Sequence, residues 1–188
     1  MDLVLATKNP DKVIELRVLV ARFAPEASIV TGQDWPDVAE TGETLEENAL
    51  LKAQSVADAT GHAALGDDTG LEVAALHGAP GVRSARFSGP DATYASNRAA
   101  LLDALDGVAD RSARFRTVCC LVMGDRIVFG EGTIAGQIAR EERGTGGFGY
   151  DPLFEVGGRT LSEMGEGEKN LLSHRARAVE AVFENLAG

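Results

Sequence analysis

The chain is poor in cysteine, in histidine, in cationic residues and in long apolar runs, and each shortage removes a class of protein. Its two cysteines, Cys119 and Cys120, stand side by side in one apolar run. On a strand they would face opposite sides, so they are badly placed for a structural disulfide, and a reduced, cytoplasmic protein is expected. The three histidines, His62, His77 and His174, are scattered with no zinc-ligand spacing. Lys and Arg number 18 against 29 Asp and Glu, a formal net charge of −11. That balance argues against nucleic acid as a partner, although a few local donors can still hold a small anion. The first apolar run, Leu3–Ala6, is too short for a secretory leader, and nothing approaches the roughly 20 apolar residues of a membrane span, so no membrane partner is expected. The phosphate-cradling pattern G-x-x-x-x-G-K-[ST] is absent throughout.

What is present suits a single domain over 1–188: 44% apolar and 25% charged residues, enough chain for a substantial core, and no internal repeat or clear linker. Leu3–Ala6 reads as a buried strand. Asn9 suits an N-cap and Pro10 a first helical position, with Val13, Leu16, Val20 and Phe23 at helical spacing beyond them. A strand feeding a helix whose first N–H groups are free is an anion site, and Lys8 and Lys12 stand beside it. The bland alternative is a βα turn with two surface lysines. Ser28–Thr31 reads as a further strand, and residues 32–43 as a long irregular loop ending in Glu40-Thr41-Gly42-Glu43. Thr44 and Glu47 fit a capping box, which gives Glu47 a structural task and leaves Glu40 for another. On the helix that follows, Lys52 lies off the apolar face of Leu45, Ala49, Ala53 and Val56.

The run Leu65-Gly66-Asp67-Asp68-Thr69-Gly70-Leu71 is the most informative stretch. It reads as a strand, a turn at Thr69-Gly70, and a second short strand over 71–74. Two acids ending a buried strand are costly unless a cation sits there, and a hard oxygen-loving ion would suit them. Solvated acids in a turn are the alternative. Because neighbouring strand residues alternate, only one of the pair points into a given cleft. Residues 93–105 read as a helix with Tyr94, Leu101 and Leu105 on one face. Arg114–Met123 reads as a central strand covered on both sides, followed by strands at 127–129 and 133–139 with a glycine break between them.

Gly144–Gly149 satisfies G-x-G-x-x-G as a string, but Tyr150-Asp151-Pro152 follows instead of a helix, which rules out a dinucleotide fingerprint. A glycine loop remains, bringing backbone near something flat or charged, with Phe148 and Tyr150 as candidate stacking groups. An acidic stretch, 163–168, leads to a last helix striped by Leu172, Ala176, Val179, Phe183 and Leu186. His174-Arg175 occupies its first turn, where cations are electrostatically misplaced, a local violation of the kind found at functional sites.

Taken together these stretches resemble the inosine triphosphate pyrophosphatase family. The matching runs are Leu5–Lys12, Glu40-Thr41-Gly42 with Glu47-Asn48-Ala49, Asp67–Leu71, Gly78–Gly81 with Ser84–Phe87, Gly144–Pro152 and Ser173-His174-Arg175, in the family's order over nearly the whole chain. The resemblance implies an α/β fold with an elongated mixed β-sheet flanked by helices, two lobes with a cleft between them, and a homodimer. It implies hydrolysis of non-standard purine nucleoside triphosphates (ITP, dITP, XTP) to the monophosphate and pyrophosphate, with Mg²⁺. Thr7, Lys8, Asn9, Pro10, Asp11, Lys12 and Lys52 would hold the triphosphate. Glu40 and Asp68 would serve the metal, and Asp68 would accept the proton. Thr69 would touch substrate, and Phe148, Gly149, Tyr150, Asp151, Lys169, His174 and Arg175 would bind the nucleoside. Lys8 and Thr69 stand where other members carry Gly and Ser.

Overall fold

The computed structural model describes residues 1–188, apart from the side chains of residues 166, 170 and 171. In chain order the elements are β1 (Asp2–Leu5), α1 (Pro10–Phe23), β2 (Ser28–Ile29), α2 (Leu45–Thr60), β3 (Ala63–Val73), β4 (Pro80–Gly81), α3 (Tyr94–Ala104), β5 (Ser112–Met123), β6 (Arg126–Ile138), β7 (Phe154–Val156), β8 (Arg159–Thr160), α4 (Glu166–Leu172) and α5 (His174–Ala187). The strand order is β2-β1-β3-β5-β6-β7-β8, with β4 on β3. β1 runs parallel to β2 and β3, whereas β3/β4, β6/β7 and β7/β8 are antiparallel. The sheet is therefore mixed, as expected, and β5 holds the central place its two-sided apolarity predicts.

The chain forms two compact units, each assembled from separate segments. One comprises Met1–Asp68, Thr117–Gly132 and His174–Gly188; the other comprises Thr69–Arg116 and Thr133–Ser173. In the first, Leu3 and Leu5 of β1 pack with Leu16, Leu19 and Val20 of α1 and with Ala178, Val179 and Val182 of α5. Val4 and Ala6, the alternate residues of the same segment, pack with Val56 of α2 and Ala64 of β3. Period-2 alternation thus puts α1 and α5 on one face and α2 on the other. In the second unit Leu71, Val73, Leu101, Leu105, Phe115, Ile134, Leu153 and Phe154 share a core.

Two strands are longer than local reading suggests. Thr69-Gly70 is not a turn, because β3 runs unbroken through it. Gly70 is needed for a close approach instead: a Cβ there would lie 2.9 Å from the carbonyl oxygen of Gly81, in the strand paired to it. β6 likewise continues through Gly130-Glu131-Gly132. A Cβ at Gly130 would collide with the α5 backbone at Ala178 and Val182, and one at Gly132 with the carbonyl of His174. The glycines let a helix lie directly on the strand. The acidic stretch near 163–168 is also more ordered than its composition suggests, forming a 3-10 turn at Leu161–Glu163 and then α4. Tyr94, placed on the buried face of α3 by spacing, is 42% exposed.

Candidate active site

Helix α1 begins as its sequence dictates. The Asn9 side chain accepts from the backbone N–H groups of Asp11 (2.9 Å) and Lys12 (3.4 Å), and Pro10 opens the helix. The N–H groups that an anion would meet are thus already capped, and the positive end of the helix acts through its dipole and through Lys12. Thr7 braces the approach, its hydroxyl accepting from Asn9 N–H at 3.2 Å. Lys8 is half exposed and pairs with Asp37 at 2.6 Å, in the irregular loop.

Asp67 and Asp68 sit within β3 and, as alternation requires, meet different helices. Asp67 is buried. Its Oδ2 accepts from Lys12 Nζ of α1 at 3.0 Å and from Arg175 Nε of α5 at 3.2 Å, and Arg175 also pairs with Glu15. Burial alone would push the Asp67 carboxyl up; Lys12, Arg175 and Lys52 outweigh it and hold the group well below the usual carboxylate range. Its Oδ1 is buried with no hydrogen-bond partner among the described residues. Arg175, 3% exposed, is the buried counter-ion of Asp67 and Glu15, which explains a cation in the first turn of a helix.

Asp68 faces α2. Lys52 Nζ donates to Asp68 Oδ1 at 3.0 Å and to Glu40 Oε1 at 2.7 Å, and Asn48 Nδ2 donates to Asp68 Oδ2 at 3.2 Å. Lys52, which lies off the apolar stripe, is nonetheless buried. Its burial opposes the charge, but Asp68, Asp67 and Glu40 together raise its pKa. Burial also dominates at Asp68 and raises its carboxyl, with Lys52 and Lys12 pulling the other way. The Asn48 amide oxygen accepts from Gly42 N–H at 2.8 Å, tying the loop that carries Glu40 to the helix that carries Lys52. Asn48 is a positioning group that sequence reasoning passed over. The signal was its place on the buried face of α2, one residue before Ala49.

His174 opens α5. Its Nδ1 lies 2.6 Å from the Thr117 hydroxyl of β5, and both residues are buried.

The second unit holds the remaining candidates. The glycine loop wraps around a carboxylate of its own: Asp151 Oδ2 accepts from Phe148 N–H at 3.0 Å and from Lys169 Nζ at 2.7 Å. Gly147 has φ +71°, and a Cβ there would strike that same carboxylate. Lys169 Nζ stands 5.1 Å from the centre of the Phe148 ring, and Tyr94 packs beside that ring at 6.0 Å. Arg98 donates to the Gly149 carbonyl at 3.0 Å. Tyr150 does not line a surface for stacking. It is buried in the core, and its hydroxyl donates to the Ser84 carbonyl at 2.9 Å. Thr69 is half-buried on β3.

The donor set can be tested against a metal. Glu40 and Asp68 offer only hard oxygens, and no group of three His, Cys, Asp or Glu that could hold an ion converges among the described residues. A closed zinc site is thereby a poor fit. Mg²⁺ is not, since it takes one or two carboxylates and completes its shell from water and phosphate. The Lys52 ammonium between the two acids marks the place as one where positive charge is stable.

The mixed α/β sheet thus carries two adjacent strand acids, each clamped by a lysine. The model of the Ham1 family matches residues 3–185, and the chain belongs to that family. A dITP/XTP pyrophosphatase of Elusimicrobium minutum is 46% identical over 196 residues, covering 99% of this chain and all of the relative. A HAM1 protein from Coxiella burnetii superposes with a TM-score of 0.89 at 41% identity, covering 100% of this chain and 98% of the other. The Staphylococcus aureus Ham1 protein does so with a TM-score of 0.87 at 35% identity, covering 100% and 99%.

Proposed function

We propose that this protein hydrolyses non-standard purine nucleoside triphosphates (dITP, ITP and XTP) to the monophosphate and pyrophosphate, clearing them from the nucleotide pool. The observation that carries the reading is the Glu40–Lys52–Asp68 bridge, two acids and a buried ammonium within hydrogen-bonding distance. Lys12 and Lys52 neutralise the triphosphate, aided by the positive end of α1 and by Lys8 where the loop brings it near; Thr7, Asn9, Pro10 and Asp11 shape that turn. Glu40 and Asp68 would hold Mg²⁺, which when bound would supply charge neutralisation and Lewis acidity. Asp68 orients the attacking water and takes its proton. An ordinary aspartate is a weak base at neutral pH, and burial moves this one in the useful direction. Catalysis in phosphoryl-type transfer is mostly positioning and charge stabilisation, which this constellation is equipped to provide.

Phe148 offers its ring to the base, Asp151 and Lys169 fix the loop that presents it, and Gly149 and Thr69 add contacts to substrate. Tyr150 supports that loop from beneath. His174 meets position 6 of the purine, where hypoxanthine and xanthine carry an acceptor oxygen and adenine a donor amine. Arg175 contributes a guanidinium whose orientation Asp67 and Glu15 dictate. The protein acts as a cytoplasmic homodimer in this reading. No described helix is long and apolar enough to cross a membrane, Cys119 and Cys120 are free and buried, and light scattering reads the assembly.

The test is pyrophosphate release from ITP, XTP, GTP and ATP, with Mg²⁺ and with EDTA. Metal-dependent pyrophosphate from ITP and XTP, far above ATP and GTP, is the expected result. Release of inorganic phosphate, or tight ITP binding without turnover, would refute the assignment.

A further inference from the structure

We infer that Thr117 is a specificity-determining positioning residue: its hydroxyl holds the His174 imidazole in the tautomer that presents an N–H to a 6-keto purine. The inference rests on the proposed contact between His174 and the base.

Thr117 is fully buried in the middle of β5, among Phe115, Val118, Cys119 and Cys120, where an apolar side chain would cost less. Its Oγ1 lies 2.6 Å from His174 Nδ1. The same helix start is fixed from β6, because Gly132 lets the backbone approach the His174 carbonyl closer than any Cβ would allow. Backbone and ring are therefore both located by the sheet. A neutral imidazole carries one N–H and one bare nitrogen. With Nδ1 against Thr117, any hydrogen bond from this ring to a base runs through Nε2. When the Thr117 hydroxyl donates to Nδ1, the proton sits on Nε2, a donor that matches O6 of hypoxanthine or xanthine and opposes the amine of adenine. When the hydroxyl accepts, Nε2 is bare and the preference inverts. With the ring neutral, a preference for 6-keto purines thus requires the hydroxyl to donate, and a choice between two protons becomes a choice between substrates.

The experiment compares kcat/KM for ITP and ATP in wild type, Thr117→Val, Thr117→Ser and His174→Ala, together with the histidine ¹⁵N spectrum of each ligand-free protein and its thermal melt. Valine keeps the shape and removes the donor; serine keeps the donor. The expected result is an ITP/ATP ratio that falls about tenfold in Thr117→Val, the cost of one unmatched buried polar group, and recovers in Thr117→Ser. The spectrum should show His174 protonated on Nε2 in wild type and Thr117→Ser, and a mixture of tautomers in Thr117→Val. A ratio altered by His174→Ala but untouched in a folded Thr117→Val overturns the inference alone. A ratio untouched by His174→Ala overturns it together with the base contact on which it rests. Should Thr117→Val fail to fold, wild-type His174 protonated on Nδ1 overturns the inference by itself.

Discussion

At Asp67 burial and charge act in opposition, and charge wins. A carboxyl depressed on folding contributes stability that is fully present above its unfolded value of about 3.9 and is lost as pH falls below that. Asp67→Asn should therefore cost about 3–5 kcal/mol at pH 7, because Lys12 and Arg175 lose their shared counter-ion, and the gap to wild type should shrink as urea unfolding is repeated below about pH 4. A gap that stays constant with pH would show that the carboxylate charge is not what matters. Asp68, one residue on, is perturbed upward, and its variant separates differently. Asp68→Asn should stay folded by circular dichroism and lose about 100-fold or more in turnover, the range of a missing general base. Arg175→Ala is a poor probe of base reading, since it takes away one of the two cations paired with buried Asp67 and the partner of Glu15; Arg175→Lys keeps the charge and isolates the loss of the planar fork.

At the scale of elements, glycines decide where backbone meets backbone. Gly132→Ala or Gly130→Ala should destabilise by at least about 1–3 kcal/mol in denaturant titration, since the atoms a Cβ would meet belong to the α5 backbone and cannot swing aside. Gly61→Ala, with nothing within 4 Å but φ +70°, tests conformational strain without collision and should cost less. These positions also show where sequence is a sufficient guide. The starts of α1 and α2 were legible because caps are local: Asn9 and Thr44 bond donors within three residues. The opposite facing of Asp67 and Asp68 follows from strand period alone. The length of β3 and β6 was not legible, since a glycine that ends a strand and one that admits a neighbour look the same in a string. Nor was the burial of Lys52 and Arg175, whose partners come from other elements. The residues of the candidate site are those the resemblance names, whereas the contacts that Asn48, Glu15 and Thr117 make with them emerged only once the helices were laid on the sheet.

For the whole molecule, triphosphate binding should be visible as stability. A non-hydrolysable ITP analogue with Mg²⁺ at 100 times its Kd should add about 2.7 kcal/mol and raise the melting temperature, and EDTA should abolish the gain. The analogue raising the melt equally with and without metal would detach Glu40 and Asp68 from the ion. Neither compact unit is a continuous stretch of chain, and this has a consequence in time. Asp67 and Arg175 lie 108 residues apart. A nascent chain that has completed β3 owns a carboxylate meant for the interior and one of its two cations, Lys12, but the guanidinium that completes the clamp belongs to a helix not yet translated. Until α5 arrives, that strand has reason to stay wet. The clamp on Asp67 is therefore complete only once α5 has been made.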